Sequence, residues 1–297
     1  MTADGGGELL VGRWFLESEL EDIRETIRMF PRLSRHELAL TICENLDWKS
    51  PTDRLKVESC HQLLNLLARS EGLELPVWQG RPRGKEGRLE VTDRTLAPGH
   101  EILGGIDELP SVCLEAVEGT ATHLWNEYVQ RYHPLGYRRP FGAHQRYFIL
   151  SGRERLGCLL FAAAAWALSP RDDWIGWSAQ DRKQRVNLIV NNSRFIIFPW
   201  VKVRNLASKV LSMAAQQVGH DWERRYGYRP VLLETFVGQE YRGAAYRAAG
   251  WIYVGMTTGR GRRGGARPTL WPKQIYVYPL ARDFRSQLCG TGSGGGQ

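Results

Sequence analysis

Hydrophobic residues in the first third of the chain recur at the spacing of short helices. Leu38, Ile42 and Leu46 follow one another every four residues, so a helix that carries them has one apolar stripe. Ser34 and Glu37 fit a capping box, in which the serine accepts from the backbone at Glu37 and the glutamate reaches back. The pattern therefore predicts a helix that begins just after Ser34.

A second helix is predicted to follow, with Ser50 as its N-cap, Pro51 at its first position and Gly72 just after its end. Residues 73–76 then continue as a short strand or wing. This order is typical of a winged helix-turn-helix, and the alternative is a small helical bundle that packs on the main domain. In the DNA-binding interpretation, six polar side chains lie near the groove: Arg54, Lys56, Ser59, His61, Gln62 and Asn65.

The pattern divides the chain into four segments. Residues 1–78 form the winged-helix-like DNA-binding domain, and residues 79–119 are predicted as a linker because their charged, glycine-rich start has no periodicity. Residues 120–285 form the main α/β domain. Residues 286–297 end in a glycine-rich stretch and are predicted as a flexible tail.

The hydrophobic spacing in the main domain is typical of helices in some segments and of strands in others. Helices that separate late strands indicate a mixed α/β (α+β) sheet with helices on both faces. In chain order the predicted elements are a helix at 120–132, strands at 144–150, 156–165 and 185–198, a helix at 205–226, a strand at 231–236, a helix at 241–249, and strands at 251–256 and 274–278.

Charge changes this picture by suggesting a partner. The 297 residues include 40 Lys and Arg against 32 Asp and Glu, which gives a formal net charge of +8. Such a chain favours a polyanionic partner, because neutralised phosphates release their counterions. Nucleic acid, with DNA foremost, is the expected partner, and a uniformly solvated basic surface is the alternative.

Several classes are not expected. The five cysteines form no CxxC pair and the histidines show no HxxxH spacing, which argues against disulfides and a structural metal site. The longest apolar run, at 158–168, is too short to cross a bilayer, which needs about 20 residues. We therefore expect a cytoplasmic protein with no membrane partner.

Polar residues within apolar strands are the first candidates for chemistry. Glu234 ends an apolar strand, where open α/β sheets commonly bind ligands, so it is either a general base or half of an ion pair with Arg194. Asn191, Asn192 and Arg194 interrupt another apolar strand, which indicates a bulge or a site. Arg194 is also a candidate contact to nucleic acid.

Two further sets of residues extend the candidate chemistry. His133 ends a predicted helix and is either a base or a helix cap. Asp172 and Asp173, together with Glu234, would hold a metal for phosphodiester cleavage if they converged. A metal-dependent nuclease is therefore one alternative, although no spacing demands it.

The segment 259–264 matches a GxGxxG pattern, but no helix-forming segment follows it, which argues against dinucleotide binding. A loop rich in arginine suits phosphate contacts better. We therefore predict nucleic-acid contacts at Arg260, Arg262, Arg263 and Arg267.

The order of elements resembles the GCN5-related N-acetyltransferase fold. Residues 246–251 lie where that superfamily shows a Leu-Tyr-x-x-x-Gly-Phe segment, and the resemblance places Tyr246 as the general acid. Those enzymes bind pyrophosphate in a glycine-rich turn before the long helix. Residues 203–208 have no glycine there, which argues against acetyl-CoA and leaves the cofactor unknown.

A second resemblance covers almost the whole chain. Residues 165–177, 191–195, 205–208, 234–237 and 251–255 resemble the Druantia anti-phage system protein A family. The resemblance implies association with phage defence or mobile DNA. We therefore expect a DNA-binding protein that modifies or processes nucleic acid, with Glu234, Tyr246, Asn192 and His133 as its catalytic candidates. The alternative to an enzyme is a DNA-recognition subunit that recruits a helicase or transposase.

Overall fold

The computed structural model describes residues 7–51, 54–76, 89–140, 142–258 and 271–290. The chain folds into two compact units. The first contains residues 1–83 with the short segments 140–143 and 225–227, and the second contains the remainder.

The first unit is a small hairpin followed by three helices. Its core is formed by apolar side chains such as Phe15, Leu38 and Leu63, each fully buried. The elements are β1 (Gly7–Leu10), β2 (Arg13–Leu16), α1 (Glu17–Met29), α2 (Arg35–Asn45) and α3 (Val57–Glu71).

Some local predictions for this unit are confirmed and others are wrong. Ser34 caps α2 in a complete capping box, and Gly72 ends α3 in the left-handed conformation. However, α3 begins at Val57 rather than Ser50, because the Ser50 hydroxyl accepts from the Arg54 backbone and closes a turn instead of a helix. Residues 73–76 form no strand, and β1–β2 was not predicted, so the winged-helix detail is not confirmed.

The second unit is a mixed α/β fold, as the sequence predicts. Its strands are β3 (Ile102–Gly105), β4 (Val112–Ala116), β5 (His144–Ser151), β6 (Glu154–Ala163), β7 (Ile189–Ile197), β8 (Val201–Arg204), β9 (Leu232–Gly238), β10 (Ile252–Met256) and β11 (Lys273–Pro279). Its helices are α4 (Ala121–Tyr132), α5 (Ser169–Ile175), α6 (Ala179–Arg185), α7 (Leu206–Tyr226), α8 (Ala244–Ala248) and α9 (Phe284–Cys289).

The central sheet has seven strands in the order β10-β11-β9-β7-β6-β5-β4. Every neighbouring pair is antiparallel except β7 and β9, which run parallel. Their pairing ends at Asn192 and Thr235, although β7 continues to Ile197 and β9 to Gly238. The two central strands therefore separate beyond Asn192, which leaves an opening in the sheet.

Side chains alternate between the two faces of the sheet. The front face carries Tyr147, Phe161, Asn192, Thr235 and Tyr276, which the strand registers place on one side of the sheet. It lies under α7, since the Tyr147 hydroxyl donates to Asp221 at 3.0 Å.

The back face carries Phe148, Glu234 and Val277. It is covered by α4, whose Tyr128 ring contacts Phe148, and by α5 and α9, which pack around Val277. The sheet thus has helices on both faces, as expected.

Two segments that were predicted to be irregular contain regular secondary structure. The predicted linker at 79–119 contains β3, which pairs with β8, and β4, which forms an edge of the central sheet. The predicted tail at 286–297 includes the end of α9, where Leu288 is fully buried. These short elements bury only a few side chains each, so their hydrophobic pattern is weak.

Candidate functional site

Asn192, Thr235 and Tyr246 meet on the front face where β7 and β9 separate. The Tyr246 hydroxyl donates to Asn192 Oδ1 at 2.7 Å. The Thr235 hydroxyl donates to the Asn192 backbone carbonyl at 2.9 Å and lies 3.4 Å from the Tyr246 oxygen. The structure therefore joins two of the predicted catalytic residues and adds Thr235, which the sequence analysis missed.

A bulge in β7 fixes the orientation of the Asn192 amide. The register against β6 shifts between Leu160 and Phe161, so Ser193 is an extra residue in β7. Asn192 Nδ2 donates to the backbone carbonyls of Leu160 and Arg194, at 3.3 and 3.2 Å. With its nitrogen held in this way, the amide turns its oxygen toward Tyr246. The predicted bulge in this strand is confirmed.

Aromatic rings surround Tyr246. Its ring stacks on Tyr276 at a centroid distance of 6.0 Å, and it makes edge contacts with Trp251 at 5.1 Å and Phe195 at 6.4 Å. Burial among these rings raises the pKa of Tyr246 to about 12. The hydroxyl is therefore protonated at neutral pH and can donate a hydrogen bond or a proton.

Glu234 lies on the back face, away from this cluster. Its side chain is 0% exposed, and one oxygen accepts from Arg171 Nη1 at 2.7 Å while the other accepts from the Ala165 backbone at 2.8 Å. Its ion-pair partner is therefore Arg171, and the predicted pairing with Arg194 is wrong. Both oxygens are occupied by buried donors, which favours a structural role over that of a general base.

Arg171 also separates the carboxylates that a nuclease would need together. Its Nε and Nη2 donate to Asp172 Oδ1 at 2.9 and 2.7 Å, on the other side of the guanidinium from Glu234. Asp173 is exposed. No cluster of three or more His, Cys, Asp or Glu suited to a metal occurs within the described ranges. The convergence that the nuclease hypothesis required is not formed.

His133 lies apart from this cluster, near the positive charges of Arg194 and Lys273. His133 ends α4, and its Nδ1 accepts from the Leu135 backbone at 3.1 Å. Burial, and then the charges of Arg194 and Lys273, lower the pKa of His133 to about 4. The ring is thus neutral at pH 7, and the structure does not bring it to Tyr246.

Arg194 has no acidic partner among the residues that the structure describes. Its guanidinium donates to the backbone carbonyls of Gly136 at 3.2 Å and Ser193 at 2.6 Å. Burial and the nearby charge of Arg138 lower the pKa of Arg194 below its ordinary value. A partly buried cation without a counterion favours an anionic ligand.

The other predicted nucleic-acid contacts are scattered. On the first unit, Arg54, Lys56 and Gln62 are exposed and Ser59 is half-buried. His61 is buried and stacks on His36 at 5.9 Å, so its predicted place near a groove is wrong. Asn65 accepts from Arg35 at 3.0 Å. Arg260, Arg262, Arg263 and Arg267 lie outside the described residues.

The residues missed from the sequence gave weak signals. Thr235 follows Glu234 directly, and only the alternation of β9 places it on the other face. Arg171 lies among polar residues at the start of α5, but its partner Glu234 is 63 residues away. Neither contact can be found by periodicity, which reports local structure alone.

The turn before α7 does not fit the pyrophosphate of coenzyme A. Residues 203–208 contain no glycine, and Asn205 adopts a φ of +63°, a left-handed conformation that glycine takes with least strain. The side chains of Arg204 and Asn205 are exposed at this turn, where the phosphates would need close backbone approach. The residues of this turn therefore argue against a role for acetyl-CoA in the chemistry of this chain.

Solved structures similar to this chain include three acetyltransferase structures. They are a spermidine N-acetyltransferase mutant from Vibrio cholerae (11% identity, 57% of this chain and 94% of that one, TM-score 0.38), a chimera of the Vibrio cholerae spermidine N-acetyltransferase and hSSAT (9%, 57% and 95%, 0.39), and an aminoglycoside acetyltransferase in complex with coenzyme A and kanamycin (15%, 57% and 95%, 0.37). At TM-scores below 0.5, these likenesses carry no inference about activity, substrate or cofactor.

Two further comparisons concern the sequence. No curated protein matches the chain. Among the described helices, none has the length and apolar character needed to cross a membrane.

The family model of Druantia protein DruA matches residues 76–264, which is more than half of the chain and includes the whole Asn192, Thr235 and Tyr246 cluster. The chain therefore belongs to the Druantia protein DruA family.

Proposed function

We propose that this chain processes nucleic acid in phage defence, with its active centre at Tyr246 and Asn192. The observation that carries the proposal is the 2.7 Å hydrogen bond between the Tyr246 hydroxyl and the Asn192 amide, at the opening between β7 and β9. Openings at the carboxyl ends of sheet strands are where α/β folds commonly bind ligands.

Tyr246 is the proposed catalytic residue. With its pKa raised to about 12, the hydroxyl keeps its proton at neutral pH and can pass it to a leaving oxygen or nitrogen of the substrate. Asn192 is a positioning residue, because its amide is anchored to the backbone and holds the hydroxyl in one direction. General acid catalysis of this kind contributes about 10²–10⁴-fold to a rate.

Charge supports nucleic acid as the substrate class. The chain carries a formal net charge of +8. Arg194, Arg242 and Arg247 form no ion pair among the residues that the structure describes, and the last two are exposed. Exposed arginines without carboxylate partners are free to bind phosphates.

The test compares Tyr246→Phe with the parent protein in cells that carry the complete defence system. We expect the variant to lose protection against phage by at least about tenfold in plaque number, because only the proton donor is removed. Tyr137→Phe, which deletes the hydroxyl of a half-buried tyrosine in the segment after α4, is the matched control and should protect fully.

Purified protein should also be incubated with single-stranded DNA, duplex DNA and RNA, and the products separated on a denaturing gel. We expect altered nucleic acid with the parent and none with Tyr246→Phe. Full protection by a stably folded Tyr246→Phe variant would refute the catalytic proposal.

A second function is favoured by one observation on the first unit. Leu9, Trp14 and Leu16 lie on one side of the β1–β2 hairpin and are exposed. Exposed apolar patches of this kind mark protein interfaces, which suits a recognition subunit that recruits a helicase or transposase. That function predicts that Trp14→Ala abolishes protection while Tyr246→Phe does not.

A further inference from the structure

We infer that the front face, from Tyr246 to β10, the outermost strand among the described residues, binds single-stranded nucleic acid by stacking unpaired bases on exposed tyrosines. The inference rests on the proposed function and names the strand state of its substrate.

A row of aromatic rings runs along the front face from the opening in the sheet to its edge. Phe195 contacts Tyr246, Tyr246 stacks on Tyr276, and Tyr276 contacts Tyr253 at a centroid distance of 5.7 Å. The register pairs Tyr253 of β10 directly with Tyr276 of β11. The row therefore joins the proposed active centre to the outermost strand of the sheet.

The row is buried in its middle and open at its outer end. Tyr276 is fully buried, whereas Tyr253 is 50% exposed. Tyr241, whose backbone carbonyl accepts from Gln274 beside Tyr276, is 52% exposed. Tyr253 and Tyr241 thus expose aromatic side chains to solvent, and the Tyr253 ring lies against the buried ring of Tyr276.

Positive charge accompanies these exposed rings. Arg247 donates to the Tyr276 hydroxyl at 2.9 Å, so its guanidinium lies at the centre of the row. Arg242 is exposed and adjoins Tyr241 in the chain. Neither arginine has a carboxylate partner within the part of the chain that the structure describes. Stacking rings beside unpaired cations match a partner that presents bases and phosphates together.

This arrangement suits single strands better than duplexes. In a duplex the base faces are already stacked on one another, so protruding tyrosine rings have no base face to contact. An unpaired base can lie on each ring, and each such contact contributes about 1–3 kcal/mol by alanine substitution. A single strand on the row would also lead one nucleotide toward Tyr246.

Fluorescence anisotropy tests this inference by measuring how tightly the full chain binds a labelled single strand of about 20 nucleotides and the matching duplex. The measurement is repeated over a series of salt concentrations. The variants are Tyr253→Ala, Tyr253→Phe, Tyr241→Ala and Arg242→Ala. The control is Leu103→Ala, which removes a similarly exposed apolar side chain from β3.

We expect the single strand to bind more tightly than the duplex. Tyr253→Ala and Tyr241→Ala should each weaken single-strand binding about fivefold or more, whereas Tyr253→Phe, which keeps the ring, should stay within about twofold. Arg242→Ala should reduce the slope of log affinity against log salt by about 0.7. Leu103→Ala should bind like the parent.

Each other outcome overturns a specific statement. Equal or tighter binding of the duplex, with no effect of Tyr253→Ala, overturns the single-strand inference and leaves the proposed function standing. Absence of binding to every nucleic acid overturns the substrate class of the proposed function as well. If Tyr253→Ala changes only self-association in sedimentation, the β10 edge is a protein interface and the inference fails.

Discussion

The ion pair between Arg171 and Glu234 allows a direct test of whether Glu234 has a structural or a catalytic role. Both side chains are 0% exposed, and within the described residues Glu234 Oε2 accepts its hydrogen bond from Arg171 Nη1, at 2.7 Å. Glu234→Gln keeps the size and the acceptor oxygen of the side chain but removes its charge. The Arg171 guanidinium is then left buried with one of its two carboxylates, that of Asp172.

The magnitude follows from the cost of a buried charge that loses its partner. Breaking a buried ion pair by removing one side costs about 3–5 kcal/mol, because the remaining charge stays desolvated. Asp172 and its second partner Arg182 moderate this loss, so we expect Glu234→Gln to lower the free energy of unfolding by about 3 kcal/mol. Glu234→Ala, which also removes the acceptor for the Ala165 backbone, should cost more.

Urea denaturation followed by circular dichroism measures both variants. Asp173→Asn is the matched control, since it neutralises an exposed carboxylate in α5, the helix that carries Arg171. It should change the free energy of unfolding by no more than about 0.5 kcal/mol. A Glu234→Gln protein with unchanged stability and lost activity would refute the structural reasoning and restore Glu234 as a general base.

Two further predictions concern His133 and Gly243. The pKa of His133 is lowered to about 4 in the folded protein from an ordinary 6.5, so its contribution to stability is present above pH 6.5 and is lost as the pH falls toward 4. A His133→Gln variant should lose this part of the acid sensitivity in pH-dependent unfolding, and an unchanged pH profile would contradict the assignment. Gly243 has a φ of +62°, and a Cβ there would lie 2.4 Å from the Tyr276 hydroxyl oxygen. Gly243→Ala should therefore lower the melting temperature and disturb the hydrogen bond from Arg247 to Tyr276, whereas Gly12→Ala, at a similar φ of +75° but in open space, isolates the backbone strain alone.

Much of the fold could be predicted from local pattern. The capping box at Ser34, the strands β5 and β9 and the long helix α7 each carry their own signal in apolar spacing or capping residues. The bulge near Asn192 was also predictable, because polar residues within an apolar strand interrupt its pairing. The short strands β3 and β4 were not, since edge strands of four or five residues bury too little to show a pattern.

The sequence by itself determined the mixed α/β class, the basic charge, and the family to which the chain belongs. Only the tertiary structure decided which candidate residues meet. Strand register places Asn192 and Thr235 on the front face, where α8 brings Tyr246 to them. It places Glu234, the chain neighbour of Thr235, on the back face, where α5 brings Arg171 to it. The physical reason is that side chains alternate across a sheet, so the partner of each residue depends on register between strands that are far apart in sequence.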